Sequence, residues 1–297
     1  MSTLTVAATQ MAVTWDRAAT LRRAEALVRE AAARGARIIL LQELFETPYF
    51  CQEMKPEHLA LATPAEGHPM LARMGALAAE LGVVLPVGFY ERANNALYNA
   101  VAVIDADGSR LGVYRKSHIP HSRLYEEKYY FTPGDTGFRV WRTRHGAIGV
   151  GICWDQWFPE AARVMALRGA DVLVYPTAIG NDPEDPEGAS RDAWQRVMQG
   201  HAAANAVAVV ASNRVGVERA NGTAMEFYGS SFVADWTGRK LAELDRREEG
   251  ICVATLDLEA MRRHRDQWSF FRDRRPDLYG ALLTKDGATS PAGASAP

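Results

Sequence analysis

The sequence predicts a single α/β domain with mixed sheets. Three observations carry this. Short β-branched apolar runs alternate with amphipathic helical stretches, several of the runs are joined by hairpin-type turns, and no linker or internal repeat interrupts residues 1–280 of a domain expected over 1–287. Hairpins within an alternating pattern favour mixed sheets over a purely parallel wind. With 297 residues and 47% hydrophobic content the chain is long and apolar enough for a sizeable core. The C-terminal run T-K-D-G-A-T-S-P-A-G-A-S-A-P is low in complexity, and residues 288–297 are expected to be disordered.

Residues 3–10 alternate as a strand. From Asp16 to Arg34 a helical period places Leu21, Ala24, Val28 and Ala31 on one face, and Gly35 suits its end. The run A-R-I-I-L-L-Q at 36–42 is a strand covered on both sides, expected to end on Glu43. A helix near 68–81 precedes V-V-L-P-V-G-F at 83–89, L-Y-N-A-V-A-V-I at 97–104, a D-A-D-G turn and L-G-V-Y-R at 111–115, which together have hairpin character. The stretch from Lys116 to Asp135 is too long for a plain connector and is a candidate active-site loop. Strands at 138–142 and 147–152 follow, the second expected to end on Cys153. Next come a Pro-opened helix at 157–168, a strand at 171–176 and an acidic loop at 179–190. A helix at 191–205 and a strand at 206–212 lead to strands near 230–235 and 250–256, read as joined by a D-W-T-G turn.

Composition excludes several function classes. Lys+Arg 34 against Asp+Glu 36 leaves a net charge of -2, without the basic excess that a nucleic-acid partner requires. No run of 18 apolar residues or signal-peptide core is present, so a membrane is not expected and a cytoplasmic location is. Cys51, Cys153 and Cys252 form no C-x-x-C pair and are read as reduced thiols. No G-x-G-x-x-G or Walker sequence follows a strand, so no nucleotide cofactor is expected. His118 and His121 lack the spacing of a helical metal pair, so no metal is expected either.

Three buried strands are expected to lead into an acid, a base and a thiol: Glu43, Lys116 and Cys153. A cysteine is only a few per cent ionised at neutral pH, so Cys153 needs Glu43 as general base or the Lys116 cation nearby to become a nucleophile. A protonated lysine is a poor base, but it can hold the oxygen that becomes negative in a tetrahedral intermediate, helped by the main-chain N–H after Cys153. Such a set attacks carbon–nitrogen bonds of small amides.

The motifs E-L-F at Glu43, Y-R-K-S-H at Lys116 and G-V-G-I-C-W-D at Cys153 resemble the nitrilase superfamily of carbon–nitrogen hydrolases, from about Thr3 to about Gly287. That resemblance implies a four-layer α-β-β-α sandwich, a Glu-Lys-Cys triad and self-association into a homo-oligomer. It also implies a second acid before an aromatic stretch ending in P-G-D. In E-K-Y-Y-F-T-P-G-D this is Glu127, with Glu126 its neighbour, and its role would be to orient Lys116 and the substrate amide.

The N-carbamoylputrescine amidase branch is the most similar, through C-W-D-Q-W-F-P-E at 153–160, Y-P-T-A-I-G at 175–180, R-V-M-Q-G-H-A at 196–202 and R-D-R-R-P-D-L-Y at 272–279. The resemblance implies hydrolysis of the ureido group of N-carbamoylputrescine, a step of polyamine synthesis from arginine. Relatives acting on carbamoyl amino acids carry an arginine just after C-x-D, where this chain has Gln156 and Trp157. The acidic loop N-D-P-E-D offers Asp182, then Glu184, to pair with a substrate ammonium. Tyr49, Tyr125 and Trp154 are candidates to line a slot for a four-carbon chain. The alternatives are an amidase or nitrilase for another small amide, a carbamoyl-amino-acid hydrolase, and a catalytically silent binding module. The basic run at 272–279 is expected to dock near a subunit interface.

Overall fold

A computed structural model describes residues 2–181, 189–220 and 222–288. Asp182 and Glu184, the residues expected to meet a substrate amine, lie outside them, as does the tail from 289 onward.

In chain order the described elements are β1 (Thr3–Gln10), α1 (Arg17–Ala33), β2 (Ile38–Leu40), α2 (Pro69–Leu81), β3 (Leu85–Ala93), β4 (Ala96–Ile104), β5 (Arg110–Arg115), α3 (Glu127–Tyr130), β6 (Val140–Arg142) and β7 (Ala147–Val150). They continue with α4 (Pro159–Leu167), β8 (Val172–Pro176), α5 (Ala189–Asn205), β9 (Ala208–Ser212), β10 (Val215–Ala220), β11 (Thr223–Tyr228), β12 (Phe232–Ala234), β13 (Lys240–Glu243), β14 (Gly250–Asp257) and α6 (Leu258–Trp268).

One β layer runs β14-β1-β2 and continues, through a parallel bridge between Ile38 and Val84, into β3-β4-β5. The other runs β13-β12-β9-β8-β7-β6. β7, β8 and β9 are parallel neighbours, whereas β3, β4 and β5 form an antiparallel meander, so hairpins and crossovers coexist as the turn signals predict. Strand alternation decides the layering. Val6, Ala8, Ile38 and Leu40 point between the sheets, packing with Val150, Val172, Val174 and Val209, while Ala7, Ile39 and Leu41 point to α1 and α2. Helices α4 and α5 cover the outer face of the second sheet. The result is the four-layer α-β-β-α sandwich that the resemblance implies.

Local signals account for most boundaries. The Asp16 side chain caps α1 by accepting from Ala19 N, and proline opens both α2 and α4. The differences are physical. β2 stops at Leu40 and β7 at Val150, so Glu43 and Cys153 each stand three residues beyond a strand end, in turns held by side chains and not by the sheet. The 235–238 turn joins β12 to β13, an intervening short strand, and not to β14. The hairpin β10–β11 and helix α6 are absent from the sequence reading because their faces are largely polar and carry little apolar periodicity.

Candidate active site

Lys116 follows β5 directly, and its whole side chain is buried. A buried ammonium demands paired acceptors, and two carboxylates supply them. Nζ donates to Glu43 Oε1 at 2.9 Å and to Glu127 Oε1 and Oε2 at 2.9 and 2.7 Å. Glu43 is 1% exposed and Glu127 is fully enclosed, so sequence positions 43, 116 and 127 meet in a dry cluster.

Each carboxylate has a further donor. Asn99 Nδ2, from the middle of β4, donates to Glu43 Oε1 at 2.6 Å, and the Tyr49 hydroxyl donates to Glu127 Oε1 at 2.6 Å. Glu43 Oε2 is buried and has no hydrogen-bond partner among the described residues, leaving one acceptor of the cluster uncommitted.

The electrostatics follow from crowding one cation between two acids. Burial alone would pull the Lys116 ammonium down, but Glu127 and Glu43 outweigh it and hold its pKa well above the ordinary lysine value. Burial pushes Glu127 up to about 7, with Lys116 opposing and the Glu43 charge adding. The Cys153 thiol is held well above its usual range by burial and then by Glu43, with Lys116 and a backbone hydrogen bond from Ala178 working the other way. Burial and the Glu43 charge thus favour the protonated thiol, which a base would have to deprotonate for attack.

Cys153 itself has φ of 42°, the left-handed region that a non-glycine residue adopts only when its surroundings dictate it. Asp155 imposes the turn. Its Oδ2 accepts from Ile152 N at 2.9 Å and Tyr114 OH at 2.7 Å, and its Oδ1 accepts from His118 N at 3.0 Å and lies 2.7 Å from His118 Nδ1. The His118 ring stacks on Phe158 with centroids 3.6 Å apart. Glycine is required nearby for close approach: a Cβ on Gly134 would overlap the Arg115 carbonyl, and Gly134 N donates to Lys116 O at 2.7 Å.

Among the candidate substrate-binding residues, Tyr49 is buried against Tyr125 and Phe227, with its hydroxyl on Glu127. Tyr125 OH accepts from Gly180 N at 3.0 Å, pinning the start of the acidic loop. Trp154 is 39% exposed and meets Trp157 edge to face. The Gln156 side chain is enclosed, with Oε1 accepting from Trp194 Nε1 at 2.8 Å, so the position after C-W-D is occupied by a packing network. His118 goes to Asp155, and His121 Nδ1 lies 3.2 Å from Glu126. Among the described residues no group of three His, Cys, Asp or Glu side chains could hold a metal ion. None of the described helices is long and apolar enough to cross a membrane.

Sequence reasoning missed Asn99, Arg214 and Tyr228. The only signals were a lone amide, Asn99, inside the apolar run of β4, and a charge, Arg214, two residues after the mostly apolar β9, and neither names a partner. The Tyr228 hydroxyl is buried near enough to Tyr125 and Cys153 for burial first, and then their charges, to raise it well above the usual phenol range. Only the return of β11 beside the site reveals it.

The carbon-nitrogen hydrolase family model matches residues 5–266. The chain is 57% identical over 289 residues to a tomato (Solanum lycopersicum) protein named N-carbamoylputrescine amidase, covering 96% of each chain. It is 49% identical over 285 residues to a Francisella tularensis protein named citrullinase, covering 96% of this chain and 100% of that one. Among solved structures, a carbon-nitrogen hydrolase from Helicobacter pylori G27 superposes with a TM-score of 0.90 at 40% identity, covering 95% of this chain and 99% of that one.

Proposed function

The chain belongs to the carbon-nitrogen hydrolase family, and from that premise we propose that it hydrolyses the ureido C–N bond of N-carbamoylputrescine to putrescine, ammonia and carbon dioxide. The observation that carries the substrate is the near full-length likeness to the tomato amidase. The buried Glu43–Lys116–Glu127 cluster beside Cys153 supports the chemistry.

In this reading Glu43 Oε2, the uncommitted acceptor, takes the Cys153 proton as Sγ attacks the ureido carbon. The carbonyl oxygen becomes anionic and is held by Lys116 Nζ and the main-chain N–H of Trp154. Collapse expels ammonia, which receives the proton from Glu43, and leaves a carbamoyl thioester on Sγ. Glu43 then deprotonates water, which attacks the thioester. The thiol reforms, and the released carbamic acid loses carbon dioxide to give the amine. Glu127 keeps Lys116 aimed at the oxyanion, and Tyr49 keeps Glu127 in place.

Tyr125 and Trp154 line the slot for the four-carbon chain, and Asp182 or Glu184 meets the terminal ammonium. The likeness to a citrullinase favours a second substrate with the same ureido head, one that carries a carboxylate. Gln156, locked onto Trp194, offers no cation for it at that position. The enzyme acts as a homo-oligomer in the cytoplasm. Apolar side chains exposed on the C-terminal segment, Trp268, Leu278, Leu282 and Leu283, support the first point, and three free thiols fit a reducing compartment.

Product analysis tests this directly. Putrescine and ammonia should appear in equal amounts from N-carbamoylputrescine, ahead of citrulline, carbamoyl-β-alanine, aliphatic amides and nitriles. Preference for a carboxylate-bearing compound overturns the substrate reading. Truncation after Trp268 should shrink the assembly on sizing.

A further inference from the structure

Arg214 stands in the turn between β9 and β10 with no exposed surface, yet it neither touches Lys116 nor reaches solvent. Its guanidinium serves the turn that carries Glu43. Nη2 donates to the main-chain oxygens of Glu43 at 2.9 Å and Leu44 at 2.8 Å, and Nη1 donates to Thr47 O at 3.0 Å. Leu44 has φ of 47°, so this turn is bent in a way its own side chains do not favour. Nη1 also donates to Glu218 Oε1 at 2.9 Å, and Glu218 Oε2 accepts from Tyr49 N at 2.5 Å. Tyr49 in turn donates its hydroxyl to Glu127.

One buried ion pair therefore reaches both acids of the site, Glu43 through the main chain and Glu127 through Tyr49. A buried pair of this kind gives little or no net stability over apolar packing, because desolvation offsets the attraction. Its geometry, by contrast, is rigid, since a planar guanidinium with five donors fixes directions that a flexible ammonium does not.

We propose that the Arg214–Glu218 pair is the positioning device of the reaction, setting where Glu43 and Glu127 stand about Lys116. The proposal rests on the Glu43–Lys116–Cys153 reading above. It assigns the hairpin β10–β11, which the sequence reading left without a role, to holding the catalytic acids in register from behind. Loosening the pair lets the Glu43 turn relax and Tyr49 withdraw from Glu127. The uncommitted Glu43 oxygen then leaves the thiol, and Lys116 is no longer shared between two acids.

The test uses Glu218→Gln and Arg214→Lys in the full chain, with Arg219→Gln, an exposed neighbour on β10, as control. Two readouts are taken: kcat and KM for the ureido substrate, and the pH dependence of Cys153 alkylation by iodoacetamide, located by peptide mass. Glu218→Gln should lower kcat by about 10- to 100-fold with KM within about threefold of wild type, the split expected when acid geometry and not substrate binding is lost. The alkylation inflection should move down by about one pH unit, since the Glu43 carboxylate that holds the thiol up has moved away while Lys116 stays close. Arg214→Lys keeps the charge but not the fork, so it should be impaired in the same two readouts, and Arg219→Gln should match wild type. Folded variants with kcat and alkylation profile within about twofold of wild type overturn the proposal. So does failure of both variants to fold, which would assign the pair to folding alone. Alkylation needs no substrate, so a wild type that alkylates at Cys153 but ignores N-carbamoylputrescine overturns the substrate reading and leaves positioning to be decided by the alkylation profiles.

Discussion

The Tyr114 hydroxyl donates to Asp155 Oδ2 at 2.7 Å, tying the end of the strand that delivers Lys116 to the turn that delivers Cys153. Tyr114 lies in β5 and Asp155 in the turn that follows β7, so this hydrogen bond ties a strand of one sheet to a turn that leaves the other. Asp155 collects three further contacts, from Ile152 and both the main chain and ring of His118. Asp155→Asn puts an amide N–H₂ where donors already point and should destabilise the chain by about 2–4 kcal/mol, read by urea unfolding. A loss below about 0.5 kcal/mol would show that Asp155 does not hold the turn.

Cys153→Ala removes only the proposed nucleophile from a packed site. Turnover of any ureido or amide substrate should fall at least about a thousandfold while the far-ultraviolet spectrum stays native. Trapping a covalent adduct in wild type and finding its mass on the Cys153 peptide is the complementary measurement.

Glu127 gives a pH dependence with a definite sign. Its pKa is raised from 4.5 to about 7 by burial, so the folded chain binds more protons than the unfolded one between those values. The stability it contributes is fully present below 4.5 and is lost as pH rises through about 7. In Glu127→Gln that titration is gone. The stability of wild type relative to this variant should therefore fall across the same interval by on the order of 3 kcal/mol, measured by denaturant midpoints at several pH values. Both Glu127 oxygens accept from Lys116, so the anion is the working form, and kcat/KM should rise through the same pH region in wild type only.

Tyr49→Phe keeps the ring and deletes one donor to Glu127. Without it the carboxyl is held less firmly as an anion, so the ascending limb of kcat/KM should shift to higher pH, with kcat about 3- to 10-fold lower. A pH profile superimposable on wild type would remove Tyr49 from the cluster's electrostatics.

Gly134→Ala tests close packing under Lys116. The added methyl meets main chain at Arg115 and Lys116, which cannot rotate away, so a loss of about 1–3 kcal/mol is expected on thermal or urea unfolding.

Much of the site was legible because its residues sit where regular structure ends. Lys116 directly after L-G-V-Y-R and Cys153 shortly after A-I-G-V-G-I are chemistry-bearing side chains next to buried strands, which is visible in one dimension. Glu127 was legible only through its flanking aromatic and P-G-D pattern, since a mid-loop acid has no periodicity of its own. Asn99, Arg214 and Glu218 were not legible. Each reads as an ordinary polar residue until the fold shows which main-chain oxygen or carboxylate it faces.

By itself the sequence determined the alternation of strands and helices, the mixed sheets, and the acid, amine and thiol proposed to do the chemistry, because hydrophobic period and residue type are local properties. Only the tertiary structure decided that one ammonium is shared by Glu43 and Glu127, that Cys153 is buried in a left-handed turn, and that Arg214 and Glu218 meet the Glu43 turn and Tyr49. Those outcomes depend on distance and desolvation between groups far apart in the chain, and neither quantity exists until the two sheets close on each other.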